Sequence, residues 1–427
     1  MFESLLNAFR APDIRRRIFF VLGILIVYRL LAQVPLPGIN RQALAEFFQN
    51  NAAFGILDLF AGGGLSQLSI VGLAMNPYIN ASIIMQLMTG VIPSLQALSR
   101  EGEYGRQKLN QYTRYLTVPM ALLQAFGILS ALNAKDVIIG SDFGLGNPTS
   151  WVQMITLTAG AVLLMWLGEL ITEKGIGNGI SFIIFSGIVS RAPAGVLGVL
   201  SQPSPRDIVL FVILAIVAVG VIIYIQEGQR RIPIQYASRV RGRRMYQGGQ
   251  TFLPLRVNLA GVIPIIFAIS ILAFPGQLAA YFSFSDVQGV RDVALAIGNF
   301  LSPTSIQYSI IYFVLTVGFT YFYTAFTFKP DETAEQLRKN GGFIPGIRPG
   351  RPTQEYLGRV VSRITLAGAL FLGAVAVFPV LLGVIDPSLQ GLAIGGTGLL
   401  IVVSVVVETM KQIEAQLMMR NYEGFIR

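Results

Sequence analysis

Arginines are the side chains of this sequence best suited to specific binding, because cysteine and histidine are both absent. Disulfide formation, thiolate chemistry, imidazole–metal binding and histidine-based general-base catalysis are therefore excluded. A guanidinium group makes paired hydrogen bonds to carboxylates and phosphates, so clustered arginines could bind an acidic protein or a nucleic acid. A solvated face that only orients the chain in a membrane is the alternative. Two basic segments, 226–256 and 329–360, supply the candidates: Arg239, Arg241, Arg243, Arg244, Arg348 and Arg351.

A glycine-interrupted apolar segment at 54–75 is the second unusual feature. Its first part predicts an amphipathic helix too short to cross a bilayer, and three consecutive glycines then break it. Such a broken element is typical of re-entrant structure packed inside a membrane protein. A helix lying on the membrane surface is the alternative. The apolar residues and glycines concerned are Phe54, Ile56, Leu57, Phe60, Gly62, Gly63 and Gly64.

Catalysis is not expected from this chain. The sequence has no GxxxxGK[ST] phosphate-binding motif and no pair of carboxylates in the middle of an apolar run. We therefore expect no enzyme activity and no cofactor. Any energy input must come from a partner.

The elements that carry these residues are predicted to be membrane helices. Of the 427 residues, 53% are hydrophobic and 13% are charged, about half of the roughly 25% charge of an average globular domain. Residues 208–225 hold no charge, and a span of about 20 such residues crosses a bilayer. The apolar runs are continuous rather than alternating, which favours helices over a β-barrel.

Ten spans divide the chain into two halves of five, residues 1–200 and 201–427, which would permit an inverted pseudo-repeat. We therefore expect an all-α integral membrane protein. The predicted spans are 18–34, 75–92, 113–132, 151–171, 179–197, 208–225, 257–275, 306–327, 361–383 and 393–412.

The positive charges predict the sidedness of these spans. Twenty-six of the 32 Lys and Arg residues lie on the side of the N-terminus and five on the other, with Arg29 inside the first span. The positive-inside rule places the richer side, with both termini, in the cytoplasm. On that side, apolar alternation around Ile232 and Ile234 predicts a β-hairpin with arginines at its tip. Residues 331–340 predict a short helix before a Pro/Gly-rich turn.

Five sequence blocks, in order, resemble the SecY family of bacterial protein-conducting channels. They are GLAMNPYINASIIMQLM (72–88), WLGELITEKGIGNGISFIIF (166–185), LPLRVNLAGVIP (253–264), ETAEQLRKNGGFIPGIRPG (332–350) and GGTGLLIVV (395–403). The resemblance covers essentially the whole chain. It implies two five-helix halves around an hourglass pore, with a plug at about 54–66 and a lateral gate. The implied function is translocation of unfolded secretory proteins and lateral release of hydrophobic segments into lipid.

A ring of isoleucines at the pore constriction is also implied by the resemblance. The matching positions are Ile79, Ile83, Ile184, Ile188, Ile266 and Ile401. The predicted spans place four of these residues at or beside a span midpoint and the other two one helical turn away. Packing or contact with lipid is the alternative role for an isoleucine in any membrane helix.

The lateral gate would lie between the second and third spans and the seventh and eighth. Polar side chains there can hold helices together weakly, at about 0.6 kcal/mol each, which a hydrophobic signal sequence could outcompete. The candidates are Asn80, Ser82, Gln124 and Asn258. Ordinary helix packing, or an end cap in the case of Asn258, is the alternative.

The resemblance also implies the partners. The basic segments would dock the SecA motor ATPase or a translating ribosome, beside the small membrane subunits SecE and SecG. Signal peptides, nascent chains and membrane lipid complete the expected ligands, in a bacterial plasma membrane. A secondary transporter of a small solute is the alternative function, but it would require intramembrane charges or a polar substrate site, and the predicted spans contain few such residues.

Overall fold

The computed structural model of the chain describes residues 9–50, 58, 63–133, 137–138, 143–144, 146–200, 205–236, 239–241, 244–246, 249–282, 287–302, 305–385 and 390–426. Ten helices lie where the ten spans are predicted. They are α1 (Pro12–Gln33), α3 (Asn76–Val91), α5 (Glu103–Asn133), α6 (Pro148–Lys174), α7 (Gly179–Leu200), α8 (Pro205–Glu227), α9 (Ile263–Phe282), α11 (Ile306–Thr327), α13 (Arg351–Ile385) and α14 (Gln390–Ile426). Shorter helices are α2 (Arg41–Asn50), α4 (Pro93–Arg100), α10 (Gln288–Phe300) and α12 (Pro330–Lys339).

Local sequence explains where several of these helices begin. Asn147 accepts a hydrogen bond from the Thr149 amide at the start of α6, and Ser305 accepts one from the Tyr308 amide at the start of α11. Both are side-chain N-caps, which satisfy amides that have no partner within the helix. Ile92 alone separates α3 from Pro93, the first residue of α4, and the chain bends by 99° between the two helices.

Three predicted boundaries were wrong. The seventh span was predicted from residue 257, but α9 begins at Ile263 because residues 258–261 form a turn with Gly261 at φ +65°. Helix α13 begins at Arg351, within the segment 329–360 that was expected to be a loop, and α5 begins ten residues before its predicted span. Polar helical turns beyond the apolar run carry no hydropathy signal.

Four helical segments of the described chain are long and apolar enough to cross a membrane: Glu103–Asn133, Pro148–Lys174, Ile306–Lys339 and Arg351–Phe378. The bent pair α3 and α4 makes a fifth. The positions of ten helices agree with the predicted spans, and the number of true membrane crossings stays a prediction.

The predicted hairpin is present and belongs to a larger sheet. Strand β1 (Gln229–Tyr236) pairs antiparallel with β4 (Gln250–Arg256), and β2 (Arg239–Arg241) pairs with β3 (Arg244–Tyr246) near the tip. Strand β5 (Gly342–Phe343) pairs with the other edge of β1. The two basic segments are therefore one structural unit. We call β1, β4, β5, α12 and the start of α13 the basic platform.

The main hydrophobic core joins the two halves of the chain. Its buried residues include Ile24 of α1, Ile183 of α7, Phe267 of α9 and Leu400 of α14. A second cluster packs α5 and α6 against residues 65–74, and a third lies under the basic platform. Across the halves, α9 packs against α3 and α5, and α14 packs against α7.

Candidate functional site

Six isoleucines from four helices meet in the main core, where α3 and α7 of the first half face α9 and α14 of the second. They are Ile79, Ile83, Ile184, Ile188, Ile266 and Ile401, and none exposes more than 6% of its surface. Their side chains therefore do not face lipid, although each lies on a membrane helix. We call this set the isoleucine cluster.

The depth of one member differs from the prediction. Ile266 was expected near the middle of a span, but α9 begins at Ile263, so Ile266 lies in the first turn of that helix. Ile83 and Ile188 remain near the middle of α3 and α7.

The isoleucine cluster has a simple chemistry. Isoleucine side chains have no hydrogen-bond donor or acceptor, and their branched Cβ restricts χ1. An apolar constriction of this kind blocks ions by excluding water. The same surface offers a passing polypeptide no specific polar contact.

A polar network lies next to the isoleucine cluster along α7. Arg191 is three residues after Ile188, and its guanidinium forms an ion pair with the carboxylate of Asp58. The same guanidinium donates to the Ser66 hydroxyl at 2.8 Å, and the Ser66 amide donates to Asp58 Oδ1 at 2.7 Å. Asp58 is 1% exposed. The network ties Asp58 and Ser66 to α7.

Arg29 holds α7 from another side. Its guanidinium, on α1, donates to the backbone oxygens of Ser186 and Gly187, the latter at 3.2 Å. These two carbonyls lie between Ile184 and Ile188. Two cationic side chains thus fix the stretch of α7 that contributes to the isoleucine cluster.

Sequence reasoning missed these charged residues as a site. Asp58 stands alone among apolar residues and Arg29 lies inside a predicted span, and an ionisable residue in such a position marks a functional site by default. The sequence therefore contained a signal for a functional site. It did not show that Asp58 pairs with Arg191, because the two residues are far apart in the sequence.

The predicted plug residues are only partly described. Gly63 and Gly64 belong to the described chain, and Gly63 has φ +85°. Phe54, Ile56, Leu57, Phe60 and Gly62 lie outside the described residues. The plug assignment stays a prediction for all seven residues.

Three gate candidates lie on α3 and α5, the two helices of the first half that pack against α9. Asn80 and Gln124 are buried, and the Gln124 Nε2 atom has no hydrogen-bond partner. Ser82 accepts a hydrogen bond from Gln86, one turn along α3. Asn258 lies before α9, and its Nδ2 donates to the Gly261 carbonyl at 3.0 Å. That hydrogen bond is local to the turn, as in the end-cap alternative.

The basic platform presents several of the predicted docking arginines. Arg348 is exposed in the turn before α13, and Arg351 pairs with Glu355 at 3.5 Å while its side chain is 88% exposed. Arg239, Arg241 and Arg244 lie on β2 and β3, and Arg243 lies outside the described residues. The β2–β3 pair is a separate two-stranded sheet that lies between β1 and β4 in the chain, beyond the platform itself.

Comparison with known proteins gives consistent matches over the chain. The SecY family model matches residues 69–410. The chain is 44% identical to the protein translocase subunit SecY of Corynebacterium glutamicum and of Mycobacterium tuberculosis, over 100% of both chains in each case. The corresponding Streptomyces coelicolor subunit is 42% identical, again over 100% of both chains.

Solved structures of low sequence identity share the fold. A protein-conducting channel superimposes with a TM-score of 0.65 at 18% identity, covering 93% of this chain and 91% of that one. Sec61 in a canine ribosome–channel complex gives 0.63 at 17% identity, with the same coverage.

Proposed function

The chain belongs to the SecY family, and we propose that its isoleucine cluster is the constriction through which unfolded polypeptide passes. As a SecY subunit it is a channel of a protein translocase rather than an enzyme. The observation that carries the constriction proposal is the meeting of six buried isoleucines from four helices of both halves. The same core holds other isoleucines, such as Ile183 and Ile265, and the family resemblance is what selects these six positions.

In the proposed mechanism, the isoleucine cluster seals the channel at rest. Water leaves an apolar constriction, and ions then face a large desolvation barrier. A translocating chain parts the side chains and is in turn surrounded by them. Because an isoleucine side chain forms no hydrogen bond, the seal does not select for the sequence of the polypeptide that passes through it.

Lateral release would occur where α9 meets α3 and α5. A segment with enough apolar residues partitions into lipid, and a polar segment continues through the pore. We assign Asn80, Ser82 and Gln124 to this gate because they lie on α3 and α5, the two helices that pack against α9. Asn258 belongs to the turn before α9, and its place in the gate rests on its unpaired, buried Oδ1 atom.

The basic platform is the proposed docking surface for the source of energy. Arg348 and Arg351 with the β2–β3 tip would bind the acidic groups of the SecA motor or the phosphates of ribosomal RNA. SecE and SecG are the proposed membrane partners. The proposed location is the bacterial plasma membrane, with both termini in the cytoplasm.

The secondary-transporter alternative has less support. It would need a polar substrate site at mid-membrane. The Asp58–Arg191 ion pair is internally satisfied and lies beside the glycine-rich turn. Membership of the SecY family, which covers the full chain, favours the protein translocase over a transporter of small solutes.

Site-specific crosslinking tests the proposed path. A photoreactive residue would be placed at Ile83 or Ile188 in the translocase, together with a stalled secretory chain. The same residue at Ile26, which is 62% exposed on α1, serves as a lipid-facing control. We expect adducts from the first two positions and none from the third. Equal crosslinking from all three positions would refute the constriction proposal.

A further inference from the structure

We propose that Arg191 is a positioning residue that holds the glycine turn, residues 63–66, against α7 through Asp58, and that this contact keeps the resting channel closed. We call Asp58, Ser66 and Arg191 the latch. The inference rests on the proposed function, because it assigns a state of the channel to a contact. It concerns described residues only.

The latch is a closed set of hydrogen bonds. Arg191 bonds both the Asp58 carboxylate and the Ser66 hydroxyl. Asp58 also accepts from the Ser66 amide through its other carboxylate oxygen, and its own carbonyl accepts from the Gly63 amide at 3.0 Å. The Ser66 hydroxyl in turn donates to the Gly63 carbonyl at 3.1 Å. Each residue of the latch therefore makes at least two contacts.

Because the Asp58 carboxylate is buried, the latch depends on the positive charge of Arg191. The Asp58 side chain is 2% exposed, whereas that of Arg191 is 34% exposed. A buried carboxylate without a partner carries a large desolvation penalty. Removal of the guanidinium would leave that penalty uncompensated. Asp58 would then move towards water and take the glycine turn with it.

Gly63 leaves room for the guanidinium. Its backbone has φ +85°, a region that side chains disfavour. A Cβ at this position would lie 3.1 Å from the Arg191 Nε atom. The turn thus approaches Arg191 more closely than any larger residue would allow.

The other end of the turn is fixed to the scaffold. The Leu36 amide donates to the Leu68 carbonyl at 2.8 Å, and the Ile70 amide donates to the Val34 carbonyl at 3.0 Å. Movement of the turn is therefore restricted to the part before residue 68. In that part, the latch is the contact that reaches α7.

Entry of water into the channel would weaken the latch. An ion pair is strong when dry and weak when exposed, because water screens the charges and solvates each partner. The closed isoleucine cluster lies one helical turn from Arg191 and excludes water. The shielded partner is the Asp58 carboxylate, since the Arg191 side chain is already 34% exposed. Once a chain parts the cluster and water reaches that carboxylate, the ion pair weakens. The latch would therefore stabilise the closed channel and contribute little to the open one.

The first test measures resting ion conductance in planar bilayers containing the translocase. We expect Arg191→Met to raise the resting open probability by about tenfold or more, because a buried charge loses its partner. Arg191→Lys should restore part of the seal. Arg291→Met, which removes an exposed arginine of α10 predicted to lie on the same side of the membrane, serves as the matched control and should leave the conductance unchanged.

A double-mutant cycle separates the latch from general destabilisation. Asp58→Asn removes the charge that needs compensation, so the Asp58→Asn, Arg191→Met double variant should leak no more than Arg191→Met alone. If the two effects simply multiply, the residues are not coupled and the latch is refuted. Unchanged conductance in Arg191→Met would also refute it.

The reactivity of a cysteine placed in the glycine turn measures directly whether the turn has moved. The chain has no cysteine, and Leu65 is 2% exposed within the turn. Leu65→Cys should react slowly with a membrane-impermeant thiol reagent, and faster when combined with Arg191→Met. Equal rates in both backgrounds would overturn the proposal. Export by the wild-type translocase is measured in parallel, since its absence would contradict the proposed function and not the latch.

Discussion

Gln235 on β1 and Phe343 on β5 are antiparallel partners, although they belong to different basic segments of the chain. This pairing adds a third strand to the β1–β4 hairpin. Beneath it, Ile232 and Ile234 pack with Leu337 of α12 and Leu357 of α13. Arg348 follows β5 closely, so the sheet fixes its position relative to the hairpin. A docking partner would meet one surface rather than two independent loops.

The first prediction concerns Arg348. Arg348→Glu should block motor-driven export in membrane vesicles, because it reverses an exposed charge on the proposed docking surface. The matched control is Arg106→Glu, which makes the same charge change at an exposed arginine of α5, outside the basic platform. We expect export to fall strongly in the first variant and little in the second. Normal export with Arg348→Glu would remove this residue from the docking surface.

The second prediction concerns the seal. Ile83→Gly combined with Ile188→Gly should make the resting channel conduct ions, since large apolar side chains are lost from two of the four helices that form the isoleucine cluster. Planar-bilayer recordings measure this directly. The matched control replaces exposed residues of the same helices, Leu87→Gly and Val189→Gly, and should remain sealed. Equal conductance in the two double variants would argue against a constriction at the cluster.

The sequence predicted the helices well because each has a long apolar run. It located ten helices and the β1–β4 hairpin, and it proposed six isoleucines that the fold brings together. Their common burial depends on contacts among α3, α7, α9 and α14 that no local pattern contains. The family resemblance, rather than periodicity, supplied that set.

Long-range contacts explain what the sequence did not predict. The β1–β5 pairing involves two residues of each strand, too short for a strand signal. The Asp58–Arg191 ion pair joins residues with no shared motif. The start of α9 was wrong because residues 257–262 are apolar enough to continue a helix, whereas Gly261 adopts a left-handed turn.

The third prediction concerns the lateral gate. The Gln124 side chain is buried on α5, and its Nε2 atom has no hydrogen-bond partner, a state that costs about 1–3 kcal/mol. Gln124→Leu removes this cost in the closed gate and should make opening harder. We expect weak signal sequences to lose export while strongly hydrophobic ones retain it.

The control for the gate prediction lies on the same helix. Gln111→Leu changes an exposed glutamine that donates to the Tyr115 hydroxyl at 2.9 Å, away from α9. Export of a series of substrates with graded signal-sequence hydrophobicity gives the measurement. If Gln124→Leu leaves the threshold of that series unchanged, Gln124 does not contribute to the gate.

The fourth prediction concerns the support of the loop that follows the glycine turn. Helix α6 touches this loop at Gly160, where a Cβ would lie 1.9 Å from the Ile70 carbonyl oxygen. The clash is with backbone, so no side-chain rotation relieves it. Gly160→Ala must push residues 69–71 away from α6, and overpacking of this kind typically costs about 1–3 kcal/mol. Gly23→Ala on α1 is the matched control, because a Cβ there meets no atom within 4 Å, and alanine favours a helix by up to about 1 kcal/mol over glycine. Thermal unfolding in detergent should therefore show a lower Tm for Gly160→Ala and an equal or higher Tm for Gly23→Ala.

The displacement of residues 69–71 should also weaken the hydrogen bond between the Ile70 amide and the Val34 carbonyl, which fixes the far end of the turn. Gly160→Ala should therefore raise the resting conductance as well. A lower Tm with an unchanged conductance would show that this loop supports the fold without contributing to the seal.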